Sequence, residues 1–164
     1  MPQGPSGPPT SRHEQGAAAV EFVMILPLLL ALLFGVFEFG RLVTWQATVR
    51  SAAREAARYG SAVGIVSGGV PRYANCNGIR KAGRDVARMP TLADADISVA
   101  YDQGPGTAST LTCPEGQTLD PELISGGARV VVTVSKTFEA ATPLVGPLMD
   151  GTELRSTTRR TVNP

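Results

Sequence analysis

The chain has 164 residues, a formal net charge of +1 and a single histidine. That length leaves room for one modest domain beside a long apolar stretch, and the near-zero charge argues against nucleic acid or another polyanion as partner. In chain order, Met1–Gln15 (MPQGPSGPPTSRHEQ) is rich in Pro, Gly and Ser and holds the only histidine, His13. Such a composition cannot build a core and predicts a segment without regular structure.

From Ala17 to Phe37 the residues are apolar apart from one carboxylate, Glu21. About 20 apolar residues in a helix cross the hydrocarbon of a bilayer, so a transmembrane segment is expected over residues 17–40. A charge inside such a span costs on the order of 2.5–3.5 kcal/mol and calls for a partner. Three segment types bear on Glu21. A cleaved secretory signal has a shorter apolar core and a small-x-small site, which the direct run into Phe37-Glu38-Phe39-Gly40-Arg41 does not offer. A plain single-pass anchor leaves Glu21 without a counter-ion. In a prepilin-like arrangement, a polar leader ends at Gly16, a peptidase cuts there, and Glu21 becomes the fifth residue of the mature chain.

Gly16-Ala17-Ala18-Ala19-Val20-Glu21-Phe22, Leu26-Pro27-Leu28-Leu29-Leu30, Phe34-Gly35 and Glu38-Phe39-Gly40-Arg41 together resemble the amino-terminal signature of TadE-like pseudopilins. These are minor pilin-like components of the tight-adherence (Flp-type) pilus machinery. The resemblance implies a prepilin-like leader over 1–16, cleavage between Gly16 and Ala17, and pairing of Glu21, followed by Phe22, with the freed α-amino group during assembly. Its bland competitor is that Glu21 snorkels to the headgroups. It also implies partners: a prepilin peptidase, other pilins or pseudopilins, the inner-membrane assembly platform and the lipid membrane, with no nucleic acid. The expected location is the bacterial cytoplasmic (inner) membrane, single-pass, the carboxyl-terminal domain extracytoplasmic and open to incorporation into the pilus. Charge counting opposes this orientation, because Arg41, Arg50, Arg54 and Arg58 outnumber Arg12 and His13 and positive charge marks the cytoplasmic side.

Pro27 lies inside the span; it removes a backbone hydrogen bond and predicts a helix kink, with or without a role in adapting the helix from bilayer to bundle. Leu42–Tyr59 contains no Gly or Pro and predicts an extramembrane continuation over 41–60 that stops at Gly60. Ala17 to Tyr59 would be a helix of roughly 65 Å. Val49, Ala52, Ala53, Ala56 and Ala57 form a small-residue face on which a sheet can pack closely; Arg50, Arg54 and Arg58 form a solvated face. Trp45 is expected at headgroup level.

Residues 61–164 predict a small α+β domain. Asn77 is expected to cap a second helix over Gly78–Met89. Ala95–Tyr101 and Arg129–Phe138 alternate as half-buried strands, with Thr152–Val162 as a closing antiparallel strand and Gly104–Gly127 as a loop. Leu144, Val145, Leu148 and Met149 either pad the thin core or contact another pilus component or the membrane surface. If the domain is extracytoplasmic, Cys76 and Cys113 form a disulfide that pins the loop to the second helix and contributes about 3–4 kcal/mol. The fold class expected is thus α+β and pilin-like: a long amino-terminal transmembrane and amphipathic helix on a small antiparallel sheet, with one further helix.

No catalytic, metal or cofactor site is predicted. Asp94, Asp96 and Asp102 lack the third ligand and the Gly of a calcium loop, Gly104-Pro105-Gly106 lacks the rest of a dinucleotide fingerprint, and a mature chain without histidine offers no triad. Against the pseudopilin stands a second function class, a single-pass membrane-anchored extracytoplasmic binding module, adhesin-like or sensor-like.

Overall fold

The computed structural model of the chain describes residues 12–142 and 146–162. Its axis is one helix, α1, running over Arg12–Ser61 and passing through Pro27 without a break. Helix therefore begins inside the segment expected to lack structure. Arg12–Gln15 hold neither Gly nor Pro, and extending an existing helix by one turn is cheap compared with nucleating one. Residues 1–11 lie outside the described residues.

The sheet is antiparallel throughout, in the order β2-β1-β3-β4, built from β1 (Ile97–Asp102), β2 (Leu111–Thr112), β3 (Arg129–Thr137) and β4 (Glu153–Thr161). Period-2 alternation decides its faces. Ile97, Val99 and Tyr101 of β1 and Val130, Val132 and Val134 of β3 are all buried, and the register sets Val99 against Val132 and Val132 against Thr158. Onto this row packs the upper part of α1, where Val49, Ala52, Ala53, Ala56 and Ala57 are fully buried. Alanines keep the helix close to the strands, and Phe138 is fully buried in the same core.

The second helix, α2, spans Cys76–Val86, and its cap is Asn75, whose side chain accepts from the Gly78 N–H at 2.9 Å. The expected cap, Asn77, lies within the first turn instead. Starting two residues earlier makes Cys76 the first helical residue and puts it against Cys113, with Cα atoms 5.8 Å apart and a disulfide between them. Gly83 explains how closely α2 approaches α1: a Cβ there would sit 3.1 Å from Ile97 and 3.3 Å from the Ala52 carbonyl oxygen. Gly60 serves the same purpose on α1. It lies within the helix rather than ending it, and a Cβ on it would meet Ile79 at 3.1 Å.

The stretch Gly104–Gly127 is not wholly loop. Leu111–Thr112 pairs with β1, Leu111 opposite Tyr101, and the next residue, Cys113, donates its N–H to the Val99 carbonyl at 2.8 Å. The disulfide thus holds the edge of the sheet as well as the loop. A four-residue helix, α3 (Gly146–Met149), precedes β4.

Candidate functional site

Along the lower part of α1 most of the large apolar side chains are left uncovered by the described residues. Val20, Phe22, Val23, Met24, Leu28, Leu32, Val36 and Phe37 each expose more than half their surface. In water such a surface would be unstable, because large apolar side chains are stabilised by leaving it. The helix is long and apolar enough to cross a membrane.

Gly16, Ala17, Glu21, Phe22 and Pro27 all lie on this exposed length. Glu21 forms no ion pair or hydrogen bond with the described residues. Among the described residues, none of the four predicted leader and assembly residues, nor Pro27, is brought against another element. Gly16 and Glu21 share a helix and nothing more.

Seventeen residues further on, α1 carries a carboxylate of the opposite kind. Glu38 is fully buried. One carboxylate oxygen accepts the backbone N–H groups of Ala141 at 2.7 Å and Thr142 at 2.9 Å; the other accepts from the Arg41 guanidinium at 2.7 Å. Arg41 also donates to the Glu139 carbonyl, and its guanidinium lies over the rings of Trp45 (5.7 Å) and Phe138 (5.5 Å). Charge-assisted bonds of this sort are shorter and stronger than neutral ones. Together they tie the loop after β3 to α1 at the boundary between its exposed and covered parts. Glu38 and Arg41 stand three apart at the end of the apolar run, so half of the signal is local; the partners are backbone groups a hundred residues away, which no spacing announces.

Trp45, expected at headgroup level, is half-buried and packs into this junction. Its ring meets Phe138 edge-on at 5.1 Å, because turning inward buries an aromatic face that the thin core would otherwise lack. Of the four apolar residues singled out near the end of the chain, Leu144 and Val145 lie outside the described residues. Met149 packs against the core and Leu148 is 85% exposed. Arg50, Arg54 and Arg58 are exposed, Arg58 pairing with Glu55.

Two further polar centres hold the domain. Arg80, buried on α2, donates to the carbonyls of Ile97 (3.1 Å), Cys113 (2.6 Å) and Pro114 (2.8 Å). On β1, Asp102 receives both Nε and Nη2 of Arg129, at 2.6 and 2.8 Å, with Arg159 at 3.5 Å. Hydrogen bonds from Arg129 outweigh burial and hold the Asp102 carboxyl below its ordinary range; burial pushes the Tyr101 hydroxyl up. Among the described residues no three His, Cys, Asp or Glu side chains converge as a metal site.

These features define a class: an α+β protein in which one helix serves first as an exposed apolar rod and then as the spine of a small antiparallel sheet. Residues 16–58 match the family model of TadE-like proteins, so the rod and most of the spine are similar to that family, in line with the resemblance carried by the residues at 16–41. No curated protein and no solved structure matches the chain.

Proposed function

We propose that the chain is a minor pseudopilin, a structural component that takes part in assembling or initiating a tight-adherence (Flp-type) pilus after cleavage between Gly16 and Ala17. The observation that carries this is the coincidence of the TadE-like match with a rod whose apolar side chains are left uncovered and whose one internal carboxylate lies five places after Gly16. Cleavage would create an ammonium on Ala17 about one helical turn from Glu21. The carboxylate could then be neutralised by its own chain or by a neighbour's, which removes most of the cost of holding it in hydrocarbon.

In this reading the prepilin peptidase, other pilins or pseudopilins and the inner-membrane assembly platform are the partners, and the role is structural rather than enzymatic. The domain beyond Arg41 lies outside the cytoplasm. The Cys76–Cys113 disulfide supports that side, since disulfides persist in oxidising compartments, and it weighs against the arginine count. Mass spectrometry of the mature amino terminus from the native host is the test. A chain starting at Ala17 is expected; an intact Met1 overturns the assignment, because the counter-ion would never form.

A further inference from the structure

We propose that the open edge of β4 takes up an extended, acidic segment of another protein as an added strand. The sheet ends differently on its two sides. β2 closes one side with only two residues, and a short edge strand resists further pairing. β4 closes the other with nine residues in unbroken register with β3, without Gly or Pro. Val162 donates its N–H to the Ala128 carbonyl at 2.8 Å, and Phe138 donates to the Thr152 carbonyl at 2.9 Å. Bonded pairs alternate along an antiparallel ladder, so Leu154, Ser156, Thr158 and Arg160 face β3. Arg155, Thr157 and Arg159 therefore turn their N–H and C=O groups to the open side.

Charge selects the partner. Arg50, Arg155 and Arg160 are exposed and form no ion pair among the described residues. Arg159 approaches Asp102 only to 3.5 Å, because Arg129 already holds that carboxylate with two hydrogen bonds. Opposite charges facing each other on neighbouring strands are favourable and like charges are not. Between α1 and the start of β4 lies a groove of about 400 Å³ lined by Leu42, Val43, Gln46, Ala47, Arg50 and Leu154. A strand that alternates acidic with apolar residues suits both the arginines and this groove.

A second copy of the chain fits the edge poorly, and this step rests on α1 being a membrane span. β4 runs in the direction of α1. Its start lies opposite Thr137, next to the loop bound by Glu38; near its end, Arg160 lies opposite Val130, which closely approaches Gly60. An antiparallel pair of β4 edges needs a two-fold axis across the strands, so the two rods would point in opposite directions and could not enter one membrane from the same side. A parallel pair keeps the rods aligned but sets Arg155 and Arg159 beside their own copies, with like charges opposed. The remaining occupant is a strand from a different, acidic chain.

The full chain in phosphatidylcholine nanodiscs provides the test, with three fluorescent peptides as long as β4. One alternates Glu with Val, one carries Lys in place of Glu, and one is the acidic peptide N-methylated at alternate residues to remove its backbone donors. Affinity is read by anisotropy and amide exchange is read along β4. The acidic peptide is expected to bind at least about tenfold tighter than either control. It should also slow exchange at Arg155, Thr157 and Arg159, which exchange fast without it. No binding, equal binding of either control, or binding that leaves those three amides unprotected overturns the proposal and leaves the span intact. Slow exchange at the three amides before peptide is added, with two chains in each disc, means that a second copy covers the edge, which also overturns it. A chain that does not enter the disc removes the span, and the exclusion of a second copy with it.

Discussion

Between Val20 and Phe39, α1 displays Val, Phe, Met, Ile and Leu, and most of them are exposed; between Val49 and Ala57 its inward side is mainly alanine, and it is fully buried. A soluble helix distributes size the other way, large residues to the core and small ones wherever they fall. In the proposed reading the large side chains meet a solvent that is itself apolar, while the small ones let a sheet of valines come close. The change falls at Glu38 and Arg41. Two carboxylates mark the contrast: Glu21 has no partner among the described residues, and Glu38 has two backbone donors and a guanidinium.

Glu21→Gln against Glu38→Gln should separate the two halves most widely. The first is expected to abolish recruitment into the pilus machinery while leaving unfolding of the domain unchanged to within about 0.5 kcal/mol. The second should loosen the turn after β3, read as faster amide exchange at Ala141 and Thr142. Normal recruitment of the Glu21→Gln protein would end the pairing role.

Next comes the junction. Phe138→Ala removes the aromatic that meets Trp45 and Arg41 and leaves a cavity in a core with few large residues. A loss of about 3–5 kcal/mol is expected from denaturant unfolding; a loss below about 1 kcal/mol would mean that the α1–sheet contact is not carried there.

Size itself can be tested by exchange. Ala53→Leu, at a fully buried position on the spine, should cost about 1–3 kcal/mol through overpacking. Leu29→Ala, 57% exposed on the rod, should change domain unfolding by no more than about 0.5 kcal/mol. Equal effects would mean that the two halves are not built on different rules.

These contrasts were unevenly legible in the sequence. Strands β1, β3 and β4 stand out because alternation with period 2 is a local property, and the alanine face of α1 stands out because its period is helical. Glu38 was visible only as part of a motif, since what buries it is a pair of amides at Ala141 and Thr142. Arg80 carries no signal in the sequence, because its three carbonyl acceptors arrive from β1 and from the segment that the disulfide delivers. Trp45 is expected at headgroup level from its residue type alone, and its packing partner, Phe138, lies far along the chain. The short strand β2 hid in a turn-rich stretch for a similar reason: two residues have no period, and their pairing is set by Tyr101 and by the neighbouring Cys113. In each case the missing information was a tertiary partner.

The smallest expected effect concerns acid, and it belongs to the spine alone. Asp102 has a folded-state pKa below its ordinary value of 3.8, caused first by the Arg129 hydrogen bonds and opposed by burial. A depressed carboxylate stabilises the fold fully above the unfolded value and loses that contribution as pH falls through the folded one. Domain stability, followed by urea unfolding, should therefore decline below pH about 4, and part of that decline should vanish in Asp102→Asn. The variant starts lower at neutral pH, because Arg129 and Arg159 lose their carboxylate, so the diagnostic quantity is the slope with pH and not the starting value. A pH dependence identical in the variant and the parent would move the acid-sensitive group elsewhere, and Glu55, held low mainly by its hydrogen bond from Arg58, is the next carboxylate on the spine to replace.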